Sequence, residues 1–255
     1  MAFRASTLDR MDQQVAKLIA GFAQFVQAFD AKRRFGGPSI YFHDRTLERL
    51  RTFGSPSDAL LDDGFVECLY AVLTAWGMHR MGSRGARMEE FRAFRESLLS
   101  ELPGVVKLDQ HLKRIGGGTK VQLPQVPKVE VSALTEELWS AISGLKLGKS
   151  DQTKIVLGSK AVHHLFPELL PPIDRRYTLQ FFLGRETLTA ESEPDAFREI
   201  FPRFHQIAIA SASIIESLMR EGLPEERYMR TSFTKMIDNA IVGFGIERLN
   251  IEEEE

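Results

Sequence analysis

Apolar residues recur along most of this chain at steps of three and four, the period that lines one face of an α-helix. Val15, Leu18, Ile19, Phe22, Phe25, Val26 and Phe29 form the first stripe and predict one helix across 11–30. Phe65, Cys68, Leu69, Val72, Leu73 and Trp76 form a second, and Leu134, Leu138, Ile142 and Leu145 a third. The longest runs from Phe197 through Ile200, Phe201, Phe204, Ile207, Ser211, Ile214 and Ile215 to Leu218. Pro194-Asp195 opens it and Gly222 closes it, the usual placement of proline just inside a helix and glycine just past it. Phe233, Ile237, Ile241 and Phe244 predict a last helix. The two-residue alternation of a half-buried strand appears only weakly, in 119–131. The expected fold is all-α.

The helical period breaks at IGGGTKVQLPQVPKVEVS (115–132), where three glycines and two prolines predict an exposed connection. This divides the chain into an N-terminal helical subdomain, 1–115, a Gly/Pro-rich connection, 116–131, and a C-terminal helical subdomain, 132–255. With 255 residues and 43% apolar content, the chain has enough material for a substantial core. No apolar run is long enough to span a bilayer, and the N-terminus MAFRASTLDRMDQQ lacks the apolar centre of a signal peptide, so a cytoplasmic protein without membrane contact is expected. A single cysteine, Cys68, rules out an internal disulfide framework or thiolate metal site, and its apolar neighbours place it in the core. The six histidines are not spaced with carboxylates as ligands, so no metal is expected, and no other cofactor or obligate protein partner is indicated.

Charge adds a direction. The net charge is −2, yet Trp76 to Arg185 holds 17 Lys/Arg against 11 Asp/Glu, which leaves the remainder strongly acidic, including the tail Glu252 to Glu255. Basic character concentrated in the middle of the chain suits a polyanionic partner.

Within that region lies GSKAVHHLFPELLPPIDRR, 158–176. A short helix is expected over Ser159–Phe166, with Gly158 and Ser159 leaving backbone N–H groups free at its start as a seat for phosphate. Gly158 then serves the close approach of that phosphate to the backbone. Pro167 and Pro171-Pro172 end the helix, and Asp174 falls at the N-cap of the next one, which begins Arg175-Arg176 and buries Tyr177, Phe181 and Phe182. His163 is placed to contact a phosphate or a base. A second constellation is WGMHRMGSRGARMEEF, 76–91, in which Trp76 and His79 share nearly one helical face, beside Arg80, Arg84 and Arg87. Enzymes that act on a nucleobase hold it against aromatic or apolar surfaces outside the stack. Trp76 and His79 are therefore candidate pocket walls, Arg80, Arg84 and Arg87 candidate backbone contacts, and Tyr41, Phe42 and His43 in GGPSIYFHDRT candidate contributors to the same cleft.

Gly158-Ser159-Lys160-Ala161, followed by a short helix and Pro-Ile-Asp with a basic residue after it, resembles the core of the helix-hairpin-helix DNA glycosylases, most of all the 8-oxoguanine glycosylase branch. The resemblance covers roughly 134–185. It departs from the family in keeping Gly158 alone of the usual Gly-x-Gly hairpin, and in a shorter interval between Lys160 and Asp174. It implies two helical subdomains flanking a DNA-binding cleft, a duplex DNA partner contacted through Gly158, Ser159, His163, Arg175 and Arg176, and excision of a damaged or modified base. Asp174 would stabilise the sugar cation and orient the nucleophile; Lys160 would attack the anomeric carbon and permit strand cleavage. The branch that defends bacteria against phages adds a bulky target, such as glucosylated hydroxymethylcytosine. The residues also support a non-catalytic helical nucleic-acid-binding module, in which Lys160, Arg175 and Arg176 bind phosphates and Asp174 merely caps.

Overall fold

The computed structural model describes residues 3–32, 36–79, 88–149, 154–221, 229–249 and 251. They form thirteen α-helices and several shorter turns, with no strand among the described residues; the one β-bridge joins Met88 to Gly148. In chain order the helices are α1 (Ala5–Ala20), α2 (Phe22–Lys32), α3 (Pro38–Leu50), α4 (Pro56–Leu60), α5 (Asp63–Ala75), α6 (Phe91–Ser100), α7 (Leu102–Arg114), α8 (Val131–Gly144), α9 (Lys154–Leu165), α10 (Gln180–Leu183), α11 (Glu193–Ala210), α12 (Ala212–Arg220) and α13 (Phe233–Arg248). The expected all-α fold is observed. No helix of the described residues is long and apolar enough to cross a membrane.

Several boundaries differ from expectation, each for a local reason. The stripe across 11–30 is two helices, α1 and α2, because Gly21 leaves helical angles and its N–H bonds back to Lys17. A side chain there would meet the Phe25 ring at 2.8 Å. The long stripe 197–218 is likewise divided into α11 and α12 at the buried Ser211. The weak strand at 119–131 is three short 3-10 turns, which Pro124 and Pro127 favour by withholding ladder donors. Leu123 and Val126 of this connection are buried in a cluster that also holds Phe65 and Phe197. Cys68 is half-buried rather than core.

Two helices are buried on every side and organise the rest. Ile155 to Leu165 of α9 are all buried, as are Phe233 to Gly245 of α13. α9 packs against α8, α5, α3 and α11; α13 lies along α2 and touches α1, α11 and α12. Two glycines permit these contacts. A Cβ on Gly243 would stand 1.8 Å from the Phe25 carbonyl oxygen, and one on Gly158 would stand 2.9 Å from both the Ile142 carbonyl oxygen and its side chain. Gly158→Val is accordingly expected to cost about 2 to 3 kcal/mol through overpacking, read as a lower midpoint in chemical denaturation. An unchanged midpoint would show that α8 and α9 separate freely at this contact.

Candidate active site

Each of the two central helices carries a buried lysine that pairs with an aspartate. Lys160, on α9, is 7% exposed at its side chain and places Nζ 3.0 Å from Oδ2 of Asp174, which is 31% exposed. Pro171, Pro172 and the buried Ile173 carry the chain to Asp174, where a π-helical turn, Arg175–Leu179, begins. Oδ1 of Asp174 accepts hydrogen bonds from the backbone N–H groups of Arg176 and Tyr177, at 2.9 and 3.3 Å. Asp174 is therefore the expected helix cap and, through its second oxygen, an ion-pair partner. The segment is pinned to α9 at two successive positions: Ser159 Oγ accepts from the Ile173 N–H at 3.1 Å, one residue before the Lys160–Asp174 contact. Burial opposes the charge on Asp174, but the Lys160 ammonium and the two capping amides outweigh it and hold the carboxyl below its usual range.

Lys160 Nζ also sits 5.9 Å from the Trp76 ring centroid, within cation–π range. Trp76 packs with His43, His163 and His164, whose rings lie 5.3, 6.4 and 4.9 Å from it. The protons in this cluster are ordered by one carbonyl. His164 Nδ1 lies 2.8 Å from the Lys160 carbonyl oxygen, so it must carry the hydrogen and leave Nε2 as an acceptor. His43 Nδ1, 3.0 Å from that Nε2, must then donate, and the Thr231 hydroxyl, 2.7 Å from His43 Nε2, must donate in turn. Thr231 lines a cavity of about 520 Å³ together with Arg51, Gln122 and Glu168. His163 donates through Nδ1 to the Leu170 carbonyl, leaving its buried Nε2 without a hydrogen-bond partner among the described residues.

All three histidines are held neutral, chiefly by burial, and His164 is lowered to about 4. Because a lowered folded pKa means that the unfolded chain binds more protons below 6.5, acidification from pH 7 to 5 favours unfolding. His164 alone contributes about 2 kcal/mol of this loss. Glu193 acts oppositely: burial raises it to about 7, so it favours the fold as pH falls. The midpoint should drop from pH 7 to 5 and drop further in Glu193→Gln, whose amide can keep the bond to the Ile155 N–H. Equal pH slopes in the two proteins would remove Glu193 from this balance.

The second lysine, Lys235 on α13, lies 2.6 Å from Asp238 Oδ2, 2.7 Å from Asn239 Oδ1 and 5.3 Å from the Phe29 ring centroid. Asn239 donates onward to the Met229 carbonyl. Phe29, Met229 and Val242 form a small apolar cluster against which Trp76, Tyr177 and Ile40 pack, separate from the main core. Burial raises the Asp238 carboxyl, and the Asp174 charge raises it further, against the pull of Lys235 and Lys160.

Thus Lys160, Asp174, Trp76, His43 and His163 come together. Other expected members are elsewhere. Helix α9 starts at Lys154 rather than Ser159, so Gly158 and Ser159 are buried in its interior and offer no free amides to a phosphate. The first-turn N–H of Ile155 instead bonds the buried Glu193 carboxylate at 3.3 Å. His163 is fully buried and turned to Leu170. His79 leaves the Trp76 face because α5 ends at Ala75 and Gly77 adopts φ +79°; its ring is 2.8 Å from the Thr74 carbonyl. Tyr41 is 59% exposed and packs edge-on against Phe42 instead. Arg175 and Arg176 are half-exposed beside Asp174, whereas Arg80, Arg84 and Arg87 lie outside the described residues. No group of His, Cys, Asp and Glu among the described residues is arranged to hold a metal. Sequence reasoning missed Lys235, Asp238 and Asn239, although their i, i+3, i+4 spacing in an otherwise apolar helix marks a buried charge pair.

Comparison of the chain with protein-family models, curated proteins and solved structures finds no match in any of the three.

Proposed function

We propose that this protein is a DNA glycosylase, which extrudes a damaged or modified nucleobase from a duplex and hydrolyses its bond to deoxyribose. The observation that carries this reading is the Lys160–Asp174 pair at 3.0 Å, beside Trp76 and with the carboxylate open in part to solvent. Breaking an N-glycosidic bond builds positive charge on the sugar, and a fixed carboxylate is worth most to that cation. Asp174 is suited to the task because its two amide bonds and Lys160 fix its position and keep it ionised. Lys160 Nζ is committed to Asp174 by their 3.0 Å contact, and the reading takes water as the attacking nucleophile. Arg175 and Arg176 supply cations for the DNA backbone next to the carboxylate.

One observation favours the non-catalytic module: Oδ1 of Asp174 is spent on two backbone amides, as in an ordinary cap. Incubation with duplexes carrying different base lesions, glucosylated hydroxymethylcytosine among them, separates the two readings. Abasic sites formed from one or more duplexes support the enzyme. Tight, salt-sensitive duplex binding with no abasic site from any of them supports the module.

A further inference from the structure

We propose that the cavity lined by Arg51, Lys120, Glu168 and Thr231 binds a small organic monoanion, a molecule with an apolar body, one negatively charged group and at least one N–H or O–H donor. This goes beyond the glycosylase reading and does not rest on it, since Lys160, Asp174 and Trp76 do not line the cavity. At about 520 Å³ it falls within the usual size of small-molecule sites, on the order of 300–1,000 Å³.

Its walls come from separate stretches of chain: the end of α3 with the turn that follows, the connection, the end of α9, and Thr231 just before α13. Glu168 ties the last three together. Its backbone carbonyl accepts from the Leu123 N–H at 2.9 Å, and its Oε2 accepts from the Phe233 N–H, two residues past Thr231, at 3.1 Å. The Gln122 side chain hydrogen-bonds the same carboxylate. Bonds of the fold itself therefore hold the cavity in shape, the preformed state typical of a ligand site.

The lining dictates what fits. Leu47, Leu50, Phe53 and Leu165 give it an apolar side. Its charges do not cancel: Arg51 and Lys120 are exposed and form no ion pair among the described residues, and Glu168 is the one carboxylate in the described lining. Two cations against one carboxylate leave a single positive charge, which a monoanion neutralises. Thr231 sets the remaining requirement. Its hydroxyl hydrogen is committed to His43 Nε2 at 2.7 Å, because the Lys160 carbonyl orders first His164 and then His43. The Thr231 oxygen can then offer a ligand only lone pairs, and the Glu168 carboxylate likewise accepts, so a ligand without a donor gains nothing from either. An N–H or O–H given to Thr231 also polarises its hydroxyl and strengthens the bond to His43, so that occupancy is felt along the histidine pair.

The test is calorimetric titration of the full chain with two monoanions that carry donors, N-acetyl-L-leucine and cyclic adenosine monophosphate, and with N-acetyl-L-leucine amide as the uncharged counterpart. Binding of the first alone assigns a carboxylate ligand, of the second alone a phosphodiester, and of both the shared chemistry. In each case Arg51→Gln and Lys120→Gln are expected to weaken binding by about fivefold or more. Both side chains are exposed, so the fold is expected to be intact, and Lys128→Gln, an exposed lysine outside the lining, is expected to bind as the wild type does. The bound probe is expected to shift the ring nitrogen resonances of His43. Absence of binding by both monoanions overturns the assignment, as does equal affinity for the amide or wild-type affinity in either Arg51→Gln or Lys120→Gln. Equal weakening by Lys128→Gln, which marks a diffuse attraction to surface charge, overturns it too, and so does a bound probe that leaves the His43 resonances unmoved.

Discussion

Replacing Asp174 by asparagine is expected to reduce base release by at least about 100-fold, the usual consequence of removing one fixed electrostatic contact to a developing charge. The substitution is not silent for the fold. The asparagine oxygen can still accept from the Arg176 and Tyr177 amides, so the cap survives. Its amide nitrogen, however, takes the place of the oxygen that faces Lys160, and sets a donor against an ammonium at 3.0 Å. Lys160, only 7% exposed, then lies in the interior without its counter-charge. A loss of about 3 kcal/mol is expected, at the low end for a broken buried pair because Asp174 is partly solvated. Denaturant titration of the variant gives that loss directly. Single-turnover release must therefore be measured well below the variant's midpoint, on protein shown to be folded. Wild-type release from folded Asp174→Asn would take Asp174 out of the mechanism.

The helices were legible wherever one apolar stripe faced one core. Their breaks were not: the stripe runs through Gly21 and Ser211 without a change of period, and what divides the helices is the approach of the Phe25 ring in one case and the backbone turn at Ser211 in the other. The cap at Asp174 was legible from Pro-Pro-Ile-Asp, since proline fixes the path and a short polar side chain ends it. Lys160 and Asp174 were both singled out in 158–176, though not as an ion pair, and the start of α9 was misplaced because Gly158 reads as a helix boundary. In three dimensions that glycine answers to Ile142, a residue of another helix, and such a requirement has no local signature. Lys235 and Asp238 were missed for a different reason: their helix is buried on all sides, so the stripe Phe233, Ile237, Ile241 and Phe244 marks only one of its buried faces, and the i, i+3 pair lies off that stripe.

In the proposed reaction, Lys160 decides how the bond is broken. An amine that attacks C1′ must first lose a proton, then form a Schiff base that borohydride reduces to a stable protein–DNA adduct. The structure puts that amine in an ion pair with a carboxylate whose own affinity for protons is low, so transfer from Lys160 to Asp174 is uphill. The expected result is base release without a trapped adduct. Lys160→Gln should keep a hydrogen bond to Asp174 Oδ2 through its amide while removing the charge that helps hold the carboxylate ionised, and release should fall by about tenfold, equivalent to about 1.4 kcal/mol of lost transition-state stabilisation. A borohydride adduct formed by the wild type and absent from Lys160→Gln would reverse the assignment: Lys160 would be the nucleophile, its proton would have to leave before attack, and hydrolysis by water would no longer describe the first step.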